Sequence, residues 1–488
     1  MTHRAEPAPA RTDRDSRARR LGFALRDLAA DLVDERRTVA ELRRSVAELR
    51  SRLAAVQATQ ARDQAEAGAL LEACPPWARW NGERERRYTL GVEEELMLLE
   101  RGSNALAQSS DRVLARLSDE LSLSTSPETH AGVIELRTAI HTRVGGTVAE
   151  LSALRHRLAQ EVGAMGSVAA AGAYPLTLLE ETAVSGAARY RLLGDSLRSL
   201  ARRAPTMALH VHVGVPDAED AIRLLNGLRR SVPILIALSA NSPFWQGRDG
   251  GFDSMRTLIF QAFPRTGPPR CFSGYADYVN SLDAMIGAGA VPDPSFFWWD
   301  VRPQPKLGTV EVRAMDAQST LAEVTPLVAL IQSLSRLELE GDWPQPAPGA
   351  EILAENRFLA ARDGMDARLV EPTTGQLIPV RAMLDRCRPH ALALGCASEL
   401  EQVQRLAATN GARRQRTRTA GDDGLDHVVR DLAELFLTPE WPPSAEAMSP
   451  PTRPTIRPKG AAHVPLARVL GISDPPQRSA LHAGSLPG

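Results

Sequence analysis

The stretch YTLGVEEELMLLE, residues 88–100, alternates like a β-strand but carries three glutamates in its middle. One face is apolar apart from Glu94, and it consists of Tyr88, Leu90, Val92, Leu96 and Leu98. The opposite face consists of Thr89, Gly91, Glu93 and Glu95. Such a strand buries its apolar face. Its two acids then either meet solvent, which is the commoner arrangement, or hold a cation.

Three further stretches show the same division into an apolar face and a polar face: SPETHAGVIELRTAI (126–140), MALHVHVGV (207–215) and WWDVRPQPKLGTVEVRAMD (298–316). Their polar faces carry Glu135 with Arg137, His210 with His212, and Glu311 with Arg313. Glu128 lies just before the strand that contains Glu135. Each stretch alone has a simpler explanation, because histidines can be exposed and adjacent Glu311 and Arg313 can neutralise each other.

Taken together, the four strands predict a cation site. If they pair in one sheet, their polar faces bring several carboxylates close together, and like charges at that density repel unless a cation lies among them. Magnesium suits carboxylate ligands when a nucleotide phosphate supplies the others, whereas zinc would be expected with a cysteine cluster. The sequence has neither a GxxxxGK[ST] loop nor a dinucleotide fingerprint. A nucleotide would therefore be held over the sheet through metals and arginines.

Composition bears on the binding partners and the cellular location to be expected. The chain has 488 residues, with 58 Lys+Arg against 59 Asp+Glu, so its charge balance gives no indication of a nucleic acid or an anionic membrane as partner. It has no apolar run of about 18 residues, which predicts no membrane span. The N-terminus lacks an apolar signal core and the four cysteines are scattered, so we expect reduced thiols and a cytoplasmic location.

The predicted organisation has five parts: a disordered segment 1–20, a coiled-coil helix 21–58, a linker 59–86, a catalytic domain 87–436 and a Pro-rich flexible tail 437–488. Helices and strands alternate through the first part of the catalytic domain, and residues 352–436 are mainly helical. The clearest predicted helices are Arg112–Leu121, Val148–Met165, Ala218–Leu238 and residues 321–340.

Residues 21–58 carry apolar side chains in alternating steps of four and three from Leu21 to Val56, and Glu35 fills the one missed position. This period is typical of a coiled coil, with arginines such as Arg43 beside the seam, and it predicts a homodimer through this helix. The alternative is a single amphipathic helix lying on its own catalytic domain. The narrowness of the apolar stripe favours the coiled coil.

Several long motifs, taken in order, resemble the type 2 glutamate–cysteine ligase family, also called the carboxylate–amine ligases. The resemblance runs from about Tyr88 to about Val429. Besides YTLGVEEELMLLE and FWWDVRPQPKLGTVEVRAMD, the matching motifs are HVHVGVPD, LSANSPFWQGRDGGFDSMR, FPRTGPP and ENRFLAARDGMDARLV. The resemblance implies an α+β fold similar to glutamine synthetase and the guanidino kinases, in which a curved, mainly antiparallel sheet has helices packed outside.

The resemblance also implies an activity, ATP-dependent amide formation through an acyl phosphate. The implied substrates are a glutamate-like carboxylic acid and a cysteine-like amine, with ATP and Mg²⁺ as cofactors. The residues that match the family's metal ligands are Glu93, Glu95, Glu128, Glu135, His210 and Glu311. Those that match its nucleotide-binding residues are Glu93, Glu95, His210, His212 and Arg313. Glu311 and Arg313 are the expected catalytic pair, and Arg256 is the expected clamp for the substrate carboxylate.

Two departures from the family pattern lie near the expected substrate region. Val133 replaces a glutamine that the family often has two residues before Glu135, and Ala173–Pro175 replaces a THP motif. The metal and nucleotide residues are intact, whereas the identity of the acid and the amine stays open. Two alternative functions are a phosphotransferase acting on a carboxylate or guanidino group, and a coiled-coil scaffold with a vestigial site.

Overall fold

The computed structural model describes residues 22, 45–54, 74–178, 182–203, 205–341, 348–384, 388–419, 424–438 and 441. The predicted disordered segment 1–20 lies outside the described residues. So does the predicted tail 437–488, apart from residues 437, 438 and 441. Within the predicted coiled coil 21–58, residues 45–54 are helical and exposed, and Val46, Leu49 and Leu53 are among the exposed apolar side chains.

The described part of the predicted linker 59–86 packs against the body of the protein. Ala78 is fully buried, and its carbonyl accepts a hydrogen bond of 2.5 Å from the hydroxyl of Tyr275. The indole Nε1 of Trp80 donates to the carbonyl of Val215 at 3.0 Å, directly after one of the central strands. Residues 74–86 therefore belong to the folded domain.

A seven-stranded sheet forms the centre of the structure. Its strands are β1 (Leu90–Glu100), β2 (Thr125–Pro127), β3 (Val133–Arg137), β4 (Gly166–Ala169), β5 (Ala208–Gly214), β6 (Val301–Gln304) and β7 (Thr309–Asp316). The spatial order is β6-β7-β5-β1-β3-β2, and β4 pairs with the C-terminal half of β1. Every pairing in this sheet is antiparallel. The prediction that the four stretches share one sheet is confirmed.

Helices cover the apolar face of the sheet. Leu321–Glu340, predicted from its sequence pattern, packs against β5 and against the helix Val144–Val162. It begins with a capping box in which Thr320 and Glu323 satisfy each other's free backbone N–H groups. Val144–Val162 in turn contacts β1 and β4. The apolar strand side chains are buried in this layer, and each contributes about 1.5–3 kcal/mol relative to exposure.

Glu94, the acid that interrupts the apolar face of β1, is fully buried behind the sheet against Arg155. The guanidinium donates to both carboxylate oxygens of Glu94, at 2.8 and 2.6 Å. It also donates to the carbonyls of Gln318, Ser319 and Phe436. Because every polar atom of the pair has a partner, the buried charges are compensated. Glu94 therefore has a structural role, whereas its two neighbours lie on the open face.

Two predicted helices are interrupted. In place of Arg112–Leu121 the chain forms Ser110–Leu114 and Asp119–Ser122, because Ser118 caps a new helix start through the N–H of Leu121. In place of Ala218–Leu238 it forms Ala218–Leu228, a 3₁₀ turn Arg229–Ser231, and Val232–Ser239. Pro233 lies at the start of the last helix, where its missing N–H costs least.

The other described helices are Ala188–Leu197, Met255–Phe260, Tyr275–Gly287, Ala350–Asp363, Arg388–Leu394, Ala397–Glu401, Val403–Ala408, Gly411–Arg418 and Gly424–Leu435. The other described 3₁₀ turns are Pro76–Ala78, Arg84–Arg86, Arg198–Arg202, Pro294–Phe296, Pro305–Leu307, Gly364–Asp366 and Val380–Met383. Short strand pairs outside the central sheet join Phe244–Trp245 to Arg248–Asp249, Thr266–Gly267 to Trp298–Trp299, and Arg368–Val370 to Leu377–Pro379.

Candidate active site

The register of the central sheet brings the predicted site residues together on its open face. Glu93 of β1 lies opposite His210 of β5 on one side and Arg137 of β3 on the other. Glu95 lies opposite Glu135. One strand further along, Glu311 of β7 lies opposite His212 of β5. Residues directly opposite each other in an antiparallel pair project to the same face, so these side chains converge.

The imidazole of His210 lies at the centre of the acids. Its Nδ1 is 3.5 Å from an oxygen of Glu93 and 3.7 Å from one of Glu311, and its Nε2 is 3.7 Å from an oxygen of Glu95. The Nε2 of His212 is 3.5 Å from the other oxygen of Glu93. Both rings are buried, and none of these three ring nitrogens has a hydrogen-bond partner among the described residues.

Three overlapping sets of side chains have ligand atoms within 4.8 Å of one another: Glu93 with Glu135 and His210, Glu93 with His212 and Glu311, and Glu95 with Glu128 and Glu135. Oxygen-rich sets with one imidazole suit a hard divalent cation. The unpartnered ring nitrogens and the crowded carboxylates both fit a bound cation.

The environment separates the acids into two groups. Burial raises the pKa of Glu95 to about 8, and the nearby charge of Glu128 adds to this effect. Burial likewise raises the pKa of Glu128, and it raises that of Glu135 well above the ordinary value, with further contributions from Glu93 and Glu128. Burial alone would also raise the pKa of Glu93, but His212 and His210 outweigh it and lower that pKa. Without a cation, Glu95, Glu128 and Glu135 are therefore harder to ionise than ordinary glutamates.

Glu311 is fully buried and accepts hydrogen bonds from three side chains. Arg302 donates to one oxygen through Nε at 3.1 Å and Nη2 at 2.9 Å, and Gln304 donates to the same oxygen at 2.6 Å. Arg313 donates to the other oxygen. Burial opposes ionisation, but the charges of Arg302 and Arg313 hold the pKa of Glu311 well below its usual range. The two arginines therefore favour the charged form of Glu311 beneath the site.

Arg313 lies at a β-bulge. The register between β5 and β7 shifts between Val312 and Met315, whereas the N–H of Arg313 extends the pairing with β6 and donates to the carbonyl of Asp300 at 2.8 Å. Because Glu311 and Arg313 are two residues apart on one strand, their side chains share the open face, and Arg313 lines a cavity there. Its Nε is buried with no hydrogen-bond partner among the described residues, and the only bond that its guanidinium makes to them is the one from Nη1 to Glu311, so donors are left for a ligand.

Two cavities lie over the open face. One, of about 340 Å³, is lined by Glu93, Glu128, Glu135, His210, His212 and Arg313, among others. The second, of about 610 Å³, shares Glu93, Arg137, His212 and Leu307 with the first and is therefore adjacent to it. Leu123, Ile140 and Leu307 line this second cavity and are 81%, 58% and 52% exposed. It is accordingly an open cleft with an apolar rim.

Arg256, the predicted substrate clamp, lines neither of these cavities. It is buried beneath β7, where its Nη1 donates to the carbonyl of Ala314 at 3.3 Å and its Nη2 to that of Arg313 at 3.1 Å. These bonds brace the backbone of the bulge. The structure therefore places Arg256 behind Arg313, and direct contact with a substrate stays a prediction.

The sequence reasoning missed several polar residues of the site, including two arginines, a glutamine and a tyrosine. Arg302 and Gln304 hold Glu311, and the signal for them was present, since both alternate along β6 within a motif already singled out. Arg189 and Tyr190 also line the smaller cavity. They come from the helix Ala188–Leu197, where no alternation or spacing connects them to the sheet.

Replacing Glu135 with glutamine tests whether the acids hold a cation. Burial raises the pKa of Glu135 well above its ordinary value, which favours the neutral carboxyl in the metal-free protein, so the amide should change the metal-free melting temperature little. Saturating MgCl₂ should raise the melting temperature of the native protein, because a ligand at about 100 times its Kd adds about 2.7 kcal/mol. The variant should lose this increase, as measured by thermal melting with and without MgCl₂ at matched ionic strength.

A matched control is Glu338→Gln, which changes a partly buried glutamate that pairs with Arg230 at 3.2 Å and lines neither cavity. It should keep the magnesium-dependent increase. A Glu135→Gln protein that is stabilised by magnesium as much as the native chain would remove Glu135 from the cation site.

Comparison with known proteins gives an independent result. The family model described as glutamate–cysteine ligase family 2 matches residues 89–431. A protein of Rubrobacter xylanophilus, provisionally named glutamate–cysteine ligase 2-1, is 40% identical over 336 residues, which cover 67% of this chain and 89% of the relative. A Thermobifida fusca relative, provisionally named glutamate–cysteine ligase 2, is 34% identical and covers 72% of this chain and 90% of the relative.

Two solved structures resemble the fold. The glutamate–cysteine ligase of Francisella tularensis, in complex with AMP, superposes with a TM-score of 0.55 at 12% identity, covering 73% of this chain and 89% of that one. A bifunctional glutathione synthetase from Pasteurella multocida gives a TM-score of 0.53 at 13% identity, covering 72% of this chain and 52% of that one. In the part of the chain that the structure describes, no helix combines the length and hydrophobicity needed to cross a bilayer.

Proposed function

The chain belongs to glutamate–cysteine ligase family 2, the ATP-dependent carboxylate–amine ligases, and from this premise we propose that its cavities join a glutamate-like acid to a cysteine-like amine. A carboxylate oxygen of the acid attacks the γ-phosphorus of ATP, and ADP leaves. The amine nitrogen then attacks the acyl carbon and loses a proton, and phosphate leaves. The observation that carries the proposal is the convergence of acids, imidazoles and Arg313 on one face of the sheet.

We propose that Mg²⁺ is held by the carboxylates of Glu93, Glu95, Glu128, Glu135 and Glu311 together with His210. Bound there, it would neutralise phosphate oxygens of the nucleotide. His212 either joins these ligands or orients them; its Nδ1 lies 3.0 Å from the hydroxyl of Thr309. The supporting observations are the close approach of the ligand atoms and the orphaned ring nitrogens of His210.

Arg313 and Glu311 act as a unit in this proposal. Phosphoryl transfer needs positioning and charge neutralisation more than covalent help. Glu311 holds the guanidinium of Arg313 from below, and the unpartnered Nε of Arg313 remains to meet the transferring phosphoryl group. Arg302 and Gln304 fix the other oxygen of Glu311, so that the carboxylate cannot rotate away.

The two cavities suit different substrates. The larger cleft has exposed apolar side chains at Leu123, Ile140 and Leu307, which fit the faces of a nucleobase, and Arg86 and Lys306 add positive charge beside them. We assign the nucleotide to this cleft and the acid and amine to the smaller cavity. Because both cavities share Glu93 and Arg137, the γ-phosphate would lie at their boundary.

The test is an ADP-release assay with ATP, Mg²⁺ and panels of acids and amines, starting with glutamate and cysteine. ADP should form at the full rate only when both an acid and an amine are present. Hydroxylamine in place of the amine should trap the acyl phosphate as a hydroxamate, detected as its coloured iron complex. Full-rate ADP release with the acid alone would favour a phosphotransferase, and no release with any pair would favour a vestigial site.

We further propose that the central sheet is the curved wall of a funnel like that of glutamine synthetase and the guanidino kinases. The supporting observations are the antiparallel order of its strands, the helices behind it and the cavities in front of it. We also propose residues 87–436 as the catalytic domain, with residues 74–86 packed against it.

We propose that residues 21–58 pair two copies of the chain as a coiled coil. Residues 45–54 are helical, and three seam positions, Val46, Leu49 and Leu53, are 46–63% exposed, so these side chains are available to a partner helix. In the full-length protein, the double substitution Leu49→Glu and Leu53→Glu should lower the solution mass from dimer to monomer, as measured by light scattering. An unchanged mass would remove the dimer proposal, and replacing the exposed Arg50 and Arg52 by glutamine serves as the control.

A further inference from the structure

Four arginines line the smaller cavity, and three of them have carboxylate partners. Arg302 and Arg313 pair with Glu311, and Arg137 lies 4.0 Å from Glu135. Arg189 differs from the others. Within the described residues it has no carboxylate within 4 Å, and its guanidinium makes one hydrogen bond, from Nη1 to the hydroxyl of Ser295 at 2.6 Å. Among the described residues, Arg189 is therefore the cavity arginine whose guanidinium has no carboxylate at contact distance.

The position of Arg189 is well defined. Its guanidinium lies over the ring of Phe296, with Cζ 5.5 Å from the ring centroid. The next residue, Tyr190, donates its hydroxyl to the carbonyl of Pro127 at 2.5 Å. Earlier in the same segment, the N–H of Ser185 donates to the carbonyl of Thr129 at 3.0 Å. These bonds tie the start of the helix Ala188–Leu197 to the segment that carries the metal-site acid Glu128.

We propose that Arg189 binds a substrate carboxylate that does not react, and thereby sets the preference for amino-acid substrates. This inference rests on the proposed ligase function, because it assigns a role within the same cavity. The carboxylate belongs either to the acid or to the amine, since glutamate and cysteine each carry an α-carboxylate that takes no part in the amide bond.

The chemistry favours a carboxylate over other ligands. A guanidinium presents a planar fork that matches the two oxygens of a carboxylate, and such charge-assisted pairs are about twice as strong as neutral hydrogen bonds. Ser295 uses only one of the five N–H groups of Arg189, so the rest of the fork is free within the described residues. Arg189 lines the smaller cavity and does not line the cleft assigned to the nucleotide.

The test pairs enzyme variants with substrates that lack the α-carboxylate. The full-length native protein and its Arg189→Gln variant are assayed for ADP release with glutamate against 4-aminobutyrate, and with cysteine against cysteamine. In the native protein, removing the carboxylate that Arg189 binds should lower kcat/KM by roughly 10- to 100-fold. The decisive quantity is the ratio of kcat/KM for a substrate to kcat/KM for its analogue without the α-carboxylate. In Arg189→Gln this ratio should fall to about 3 or less for the substrate whose carboxylate Arg189 binds, and it should stay unchanged for the other substrate. Arg189→Lys should give an intermediate ratio.

The control is Arg198→Gln, at the end of the same helix, where the side chain lines a different cavity. It should leave both ratios at their native values. The proposed role of Arg189 would be overturned if, in Arg189→Gln, the kcat/KM ratios of glutamate to 4-aminobutyrate and of cysteine to cysteamine both kept their native values. An effect confined to the KM for ATP would overturn it as well.

A binding measurement separates this proposal from the proposed function. If the native protein releases no ADP with any pair, the ligase assignment fails. Calorimetric titration with glutamate, 4-aminobutyrate, cysteine and cysteamine then still decides the role of Arg189. Tighter binding of an α-carboxylate compound that disappears in Arg189→Gln supports it. Equal affinities of the native protein and the variant for all four compounds overturn it.

Discussion

Replacing Glu311 with glutamine is expected to lower kcat for ADP formation by at least about 1,000-fold, the upper end of the loss when one preorganised electrostatic group is removed. The amide has nearly the same shape, but it removes the negative charge between Arg302 and Arg313 and places an NH₂ group against their donors. It also removes a proposed metal ligand beside His210. The measurement is steady-state ADP release with glutamate, cysteine and MgATP.

Leaving one partner of a buried ion pair uncompensated can destabilise a protein by about 3–5 kcal/mol, so loss of activity must be separated from loss of fold. Glu311→Asp retains the charge with a shorter side chain and is expected to stay folded with an intermediate loss. Glu338→Gln again provides the matched control, because it changes a partly buried, ion-paired glutamate outside the cavities. A folded Glu311→Gln protein with native turnover would refute the site assignment.

Replacing Arg313 with lysine is expected to lower kcat by about 100- to 10,000-fold, while the KM for ATP changes by less than about fivefold. Lysine keeps the positive charge, but its compact ammonium lacks the planar fork that lets an arginine hold Glu311 with one nitrogen and present another nitrogen to the phosphoryl group. Because the contact is expected to strengthen as charge moves in the transition state, the loss should fall on kcat.

Chemical rescue makes this second prediction specific. In Arg313→Ala, added guanidinium ion should restore part of the turnover, because it can occupy the space above Glu311. The matched control is Arg230→Lys, which changes an arginine that pairs with Glu338 and lines neither cavity. An Arg313→Lys protein with native kcat, or a fall confined to the KM for ATP, would show that Arg313 only binds the nucleotide.

Most of the candidate cation site could be predicted from the sequence because strand alternation is local. The period of two places Glu93 with Glu95, His210 with His212, and Glu311 with Arg313, whatever the rest of the chain does. The same rule would have found Arg302 and Gln304. It could not explain Glu94, whose partner Arg155 lies 61 residues away on a helix behind the sheet.

The coarse fold was also accessible. An α+β class with a mainly antiparallel sheet followed from the motif resemblance, and the structure and the relatives agree with it. The breaks within helices were harder to predict from the sequence. The break at Ser118 depends on helix capping and on a contact between Ser118 and Glu161, and the spacing of apolar residues predicts neither.

The sequence by itself determined which side chains share a face of each strand, and it therefore determined the chemical character of the site. Only the tertiary structure decided which of them are neighbours, because strand order and register place Glu93 beside His210 and Glu95 beside Glu135. It also decided the position of Arg189, and it placed Arg256 behind the bulge of β7. These positions depend on how helices pack and on the β-bulge between β5 and β7, and neither feature produces a periodic pattern in the sequence.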